Sequence, residues 1–143
     1  MGISKASAQW DGTLKGGKGT MKPAHGGEIP FSFVTRFEGQ PGANPEELVG
    51  AALAGCFSMA FSSNLEKAGA TPKTIRTTAN VKLEKTEQGF TITAIELVTE
   101  ADVSGIDAAK FKTVADDTKK GCPVSRALGA VSSITVNATL TSS

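Results

Sequence analysis

The sequence predicts an α+β fold: a mostly antiparallel sheet wrapped around one long central helix. Three observations carry this. Asn44 to Lys67 reads NPEELVGAALAGCFSMAFSSNLEK, with 18 uncharged residues from Leu48 to Leu65. Stretches of apolar and polar alternation lie on both sides of it. Read in order, the chain gives three strands, the long helix, two strands, two helices and a last strand. No repeat or linker interrupts this order, and 143 residues suffice for one core. A single domain over 1–143 is therefore expected.

Ile3 to Trp10 alternates and predicts a first strand, closed by the hairpin signal Asp11-Gly12. Thr13 to Met21 predicts a second strand, carrying Gly16, Gly17 and Gly19. The run KGGKG lacks the spacing and the ending of a phosphate-binding loop, and no helix start follows it. A bulged or bent edge strand is expected instead. Pro23 to Pro30 is a loop holding the lone histidine, His25. Phe31 to Phe37 alternates and predicts a third strand ending near Arg36, before the turn Glu38 to Ala43.

At the central helix Asn44 can cap, Pro45 takes the first helical position, and Glu47 falls where a capping-box acid reaches back. The apolar residues Leu48, Val49, Leu53, Phe57, Met59, Phe61 and Leu65 point all the way round. Burial on every side follows, by the sheet and by a partner chain. Eighteen residues would rise roughly 27 Å, close to a bilayer core. Against a membrane span stand Ser58, Ser62, Ser63 and Asn64, and a run rich in Ala and Gly rather than Leu and Ile.

Gly69 ends this helix, with Pro72 beyond. Ile75 to Thr86 and Phe90 to Val103 predict two strands joined at Gln88-Gly89. Asp107 can cap a helix from Ala108 to Lys120, with Phe111, Val114 and Ala115 on its buried stripe. Gly121 ends it, Pro123 starts a short helix through Leu128, and Val131 to Leu140 is the last strand.

Composition excludes several functions. Fifteen basic and 14 acidic residues give a net charge of +1, so neither nucleic acid nor an anionic membrane is an expected partner. With no Tyr and one Trp, an aromatic platform for single strands is not expected. One His and two distant Cys lack metal-ligand spacing. Gly2 to Trp10 has no apolar signal core, so a cytoplasmic protein is expected. In a reducing compartment, two cysteines are more often reactive or merely buried than a staple.

Cys122 would sit at or just before a helix N-terminus, where a thiolate is favoured. Cys56, in mid-helix among apolar residues, needs a cation brought by the fold to be a nucleophile; otherwise it is a buried, inert thiol. Arg36 is the candidate cation, since it lies just before the helix in a largely uncharged region.

The segment TRFEGQPGANPEELVGAALAGCFSMAF (Thr35 to Phe61), together with GCPVS (Gly121 to Ser125), closely resembles the OsmC branch of the OsmC/Ohr family. Trp10-Asp11-Gly12, Gly17-Lys18-Gly19-Thr20 and the order of elements fit as well. The resemblance implies an intertwined homodimer that reduces organic hydroperoxides, and hydrogen peroxide too, without a cofactor or metal. It implies Cys56 as peroxidatic cysteine, Cys122 as resolving cysteine, Arg36 as activating arginine and Glu46 as the acid that holds it. A dithiol or thioredoxin-type reductant would restore both thiols. Two other readings stand beside it: a non-catalytic binder of apolar ligands, and a structural stress protein.

Glu46 and Cys56 are ten residues apart, roughly 15 Å along one helix. Two such helices packed antiparallel, crossing near Ala51, would bring Glu46 of one chain level with Cys56 of the other. The small residues Gly50, Ala51, Ala52, Ala54 and Gly55 would allow that approach, or would only make room for the chain's own sheet.

Overall fold

The computed structural model describes residues 2–142. Its chain divides into two compact units, Met1–Glu47 and Leu48–Ser143, and the α+β class holds.

In the first unit, β1 (Ala6–Asp11), β2 (Lys18–Pro23) and β3 (Ile29–Phe31) form an antiparallel sheet in that order. The glycine-bearing strand is thus the middle strand of its sheet, not the bulged edge expected. Gly16 and Gly17 fall in the β1–β2 connection, and Gly19 lies opposite both Trp10 and Phe31. A Cβ on Gly19 would come within 2.6 Å of Trp10 and 2.7 Å of Phe31. Its bare backbone lets the two rings meet over it, with centroids 5.5 Å apart. Close approach, not a bulge, is why glycine stands there. His25 lies in the β2–β3 connection and is exposed.

The third predicted strand is shorter than its alternation suggests. After β3 the chain turns into a short helix, α1 (Phe33–Phe37). Ser32 and Thr35 form a reciprocal capping box, each side chain accepting from the other's backbone N–H. Phe33 and Phe37, one turn apart, pack with centroids 5.1 Å apart. Arg36 therefore stands on a helix rather than at a strand end. The i, i+4 pairing and the cap outweigh an alternation of period two.

The long helix α2 (Pro45–Lys67) starts where expected, with Asn44 Oδ1 accepting the Glu47 N–H at 2.9 Å. By length and composition alone it could cross a membrane. In the second unit, however, Leu53, Phe57, Phe61 and Leu65 recur every four residues, and all are fully buried. They share one core with Ile95, Leu97, Ala101 and Val103. Burial all round, as expected from the sequence, does not occur within one chain. Ala51, Ala52, Gly55 and Met59 are exposed, Met59 at 81%. Gly50 belongs to the other face, where a Cβ would lie 3.1 Å from Val81. The run of small residues thus serves two faces: Gly50 lets the helix approach its own sheet, while Ala51, Ala52 and Gly55 look outward.

That sheet comprises β4 (Thr71–Thr86), β5 (Gly89–Ser104) and β6 (Ser133–Ser142). The long hairpin β4–β5 is antiparallel and turns at Gly89, whose φ is 101°. β6 pairs parallel to β5. The crossover this requires is supplied by α3 (Ala108–Gly121) and α4 (Pro123–Ala127). Asp107 caps α3 as expected, and Phe111, Val114 and Ala115 are buried.

Candidate active site

In the second unit the two cysteines meet. Cys56 rides on α2 one residue before the fully buried Phe57, so it is half-buried at the edge of the core stripe. Cys122 ends α3 and caps α4. Their Sγ atoms are 2.7 Å apart, and both are free thiols. A disulfide requires about 2.05 Å, so bond formation needs less than ~1 Å of closing.

Cys122 corrects a sequence expectation. Pro123 does begin the short helix, and the backbone groups of Val124 and Ser125 act to lower the thiol's pKa. Burial outweighs them, however, and the hydrogen bond to the Cys56 sulfur acts in the same upward direction. The residue is only 1% exposed, and its pKa is raised, not lowered. Cys122 is held as a neutral thiol.

The first unit brings together the other two predicted residues. Arg36 Nε donates to Glu46 Oε1 at 3.1 Å and to Oε2 at 3.3 Å, and Nη2 donates to Oε1 at 2.7 Å. Glu46 is 7% exposed, in the first turn of α2, where the helix dipole favours an anion. The guanidinium lies 5.0 Å from the Phe37 ring centre. Thr35 Oγ1 donates to the Ala43 carbonyl at 2.9 Å and ties α1 to the segment leading into α2. The pair therefore forms within one chain.

Beside Arg36 opens an apolar pocket of about 240 Å³, walled by Trp10, Leu14, Phe31, Phe33 and Phe37. A larger groove of about 620 Å³ in the same unit, along Asp11, Lys18, Glu28 and Thr35, is lined by neither Arg36 nor a cysteine. Among the described residues, no group of three or more His, Cys, Asp or Glu side chains could hold a metal ion.

A family profile described as OsmC-like protein matches residues 37–137. The chain belongs to the OsmC family. It is 52% identical over 128 residues to the protein named peroxiredoxin OsmC of Escherichia coli K12, and equally to that of Shigella flexneri. Each match covers 88% of this chain and 90% of that protein. Among solved structures, the organic hydroperoxide resistance protein OhrB of Bacillus subtilis has a TM-score of 0.69 at 24% identity, covering 95% of this chain and 97% of that one. An OsmC-like protein of unknown function from Vibrio cholerae has a TM-score of 0.73 at 18% identity, covering 96% of this chain and 99% of that one. These two likenesses are of fold.

Sequence reasoning missed two sets of polar contacts made by α2. Asn64 Nδ2 donates to Thr118 Oγ1 at 2.9 Å, and Thr118 Oγ1 donates to the Val114 carbonyl at 2.7 Å. Ser58 Oγ donates to Thr77 Oγ1 at 2.7 Å, which meets Thr99 Oγ1 at 3.0 Å. The available signal was position: Asn64 interrupts the apolar stripe of α2, and Thr118 precedes Cys122 by one helical turn.

Proposed function

We propose that this OsmC-family chain is a thiol-dependent peroxidase that reduces organic hydroperoxides and hydrogen peroxide through Cys56 and Cys122. The carrying observation is the 2.7 Å sulfur pair, in a chain 52% identical to peroxiredoxin OsmC. The Cys56 thiol gives up its proton, and the thiolate attacks one oxygen of the peroxide. The O–O bond breaks, the leaving oxygen takes up a proton and departs as the alcohol (water, for hydrogen peroxide), and Cys56 becomes a sulfenic acid. Cys122 then attacks that sulfur. An S–S bond forms, the S–O bond breaks, and the oxygen leaves as water with the Cys122 proton. A dithiol or thioredoxin-type reductant restores both thiols by exchange, which fits a protein working in the cytoplasm. None of these steps calls on a metal or cofactor.

Cys56 is the attacking thiol and Cys122 the resolving one on this reading. Cys122 is the more buried and is held neutral, which suits a second-step thiol. Arg36 supplies a planar set of donors to the thiolate and to the peroxide oxygens, and Glu46 fixes its orientation. The aromatic pocket beside Arg36 would take the organic group of the hydroperoxide.

The working form is a homodimer, in which the ion pair of one chain serves the sulfurs of the other. Three observations support it: the exposed stripe Ala51, Ala52, Gly55 and Met59 on α2, the Arg36–Glu46 pair made within one chain, and the roughly 15 Å of helix rise between Glu46 and Cys56. A two-fold axis at that stripe gives two equivalent sites.

The test is to add an organic hydroperoxide to reduced protein, count free thiols, and then compare turnover of a bulky hydroperoxide and of hydrogen peroxide with several reductants. Rapid loss of two thiols per chain, restored by reductant, is the expected result. Unchanged thiols while an apolar ligand binds would make the protein a non-catalytic binder.

A further inference from the structure

Among the described residues, three side-chain contacts stand out between α2 and α3 with the start of α4. Phe61 meets Phe111 with ring centres 5.2 Å apart. Cys56 meets Cys122. The third is polar: Asn64 on α2 donates to the hydroxyl of Thr118 on α3. Thr118 is 1% exposed, and each of its groups is engaged. Its hydroxyl accepts from Asn64 and donates to the Val114 carbonyl; its own carbonyl accepts the Cys122 N–H at 2.9 Å. The backbone of Cys122 is therefore two hydrogen bonds from α2, the helix that carries Cys56. Asn64, Thr118, Cys122 and Cys56 close a ring between the two helices.

An apolar pair such as Phe61–Phe111 can slide with little loss, because dispersion is not directional. A hydrogen bond loses strength steeply with misalignment. The Asn64–Thr118 bond is thus the contact of the three that fixes register at the last turn of α3, immediately before the resolving thiol. That thiol is disfavoured as a thiolate by its burial. Its speed in the second step must come from proximity, which makes its position matter more.

We propose that Asn64 and Thr118 are positioning residues for resolution: their hydrogen bond holds Cys122 against Cys56, so that the sulfenic acid closes to a disulfide before a second peroxide reaches it. This rests on Cys122 being the resolving cysteine. The two fates of Cys56 sulfenic acid balance as follows. With the Cys122 thiol it gives the disulfide and water. With a second hydroperoxide it gives the sulfinic acid and an alcohol. Both start from the same intermediate, so their ratio reports the position of Cys122 and is independent of how fast the first step runs.

The experiment treats reduced wild type, Asn64→Ala, Thr118→Val, Thr118→Ser and Cys122→Ser with rising tert-butyl hydroperoxide and reads the products by intact mass. In Asn64→Ala and Thr118→Val the ratio of sulfinic acid to disulfide should rise about fivefold, equivalent to about 1 kcal/mol at 1.4 kcal/mol per tenfold. Thr118→Ser keeps the hydroxyl and should stay within about twofold of wild type. The rate of the first thiol oxidation should be unchanged in all three. Ala is a good helix former, so Asn64→Ala carries the test if Thr118→Val does not fold. A purely structural bond would lower the melting temperature and leave the ratio alone; a wild-type ratio in folded Asn64→Ala overturns the proposal. If Cys122→Ser over-oxidises while Asn64→Ala does not, only the positioning role fails. If Cys122→Ser turns over normally without over-oxidation, the resolving role itself falls, and this proposal with it.

Discussion

Arg36 and Glu46 meet as opposite charges through three hydrogen bonds, with the arginine side chain 34% exposed. Cys56 and Cys122 meet as sulfurs carried on packed helices, one of them almost wholly buried. The first contact is held by charge and fork geometry and is open to water; the second is held at the core, with Cys122 buried and Cys56 half-buried. The contrast suits the two tasks proposed for these pairs. A group that must hold a thiolate and grip a polar peroxide needs charge and access, whereas a thiol that must wait for a sulfenic acid needs proximity and shelter.

The largest effect should come from the sulfur side. Cys56→Ser should abolish peroxide turnover, while Cys122→Ser should react once and then accumulate sulfenic or sulfinic acid. Mass spectrometry after one equivalent of peroxide separates the two. Sustained wild-type turnover by Cys56→Ser would mean that the sulfur pair is not the reaction centre.

On the charge side, Arg36→Ala should lower the rate of Cys56 oxidation by about 10²-fold, the scale of losing an oriented donor at a reacting centre. Arg36→Lys should also fall, because an ammonium lacks the planar fork that grips both Glu46 oxygens. Titration of the Cys56 thiolate in both variants is the check; an unchanged thiolate pKa in Arg36→Ala removes Arg36 as its activator.

Mixing asks whether the two regions work across chains. Cys56→Ser chains co-refolded with Glu46→Ala chains give heterodimers in which one cross-chain site has both defects and the other has neither. Such heterodimers should recover about half the wild-type activity. Heterodimers with no recovery, where each variant alone is damaged, would return the site to one chain.

The smallest effect is on stability. Folding raises the Cys122 pKa, so the folded state favours its protonated form. The associated stabilisation is fully present below the unfolded value near pH 8.5 and is lost as pH rises through the folded value. Denaturant midpoints of the reduced protein should therefore fall above about pH 8.5, and Cys122→Ser should lose that part of the slope.

Much of this was legible in local sequence, for local reasons. The start of α2 at Asn44 and Pro45, the Asp107 cap of α3 and the pairing of the long hairpin at Gly89 depend on side chains within a few residues of the backbone they satisfy. Cys56, Cys122 and Arg36 stood out as candidates in the sequence itself, whereas Glu46 and the roles of all four came from family likeness. Where two local signals competed at Phe31–Phe37, alternation was the wrong guide: the Ser32–Thr35 box and the Phe33–Phe37 pair needed only one turn of helix to win. Other features were decided only by tertiary structure. Cys122 carries a helix-start signal in sequence, yet its titration is governed by burial against α2, which no spacing reports. Gly50 and Gly55 look alike in sequence, but one meets Val81 and the other nothing. The Asn64–Thr118 bond spans 54 residues and exists only because the core brings two helices together. Caps and turns lie within reach of a short chain segment; desolvation and long-range contacts belong to the packed interior.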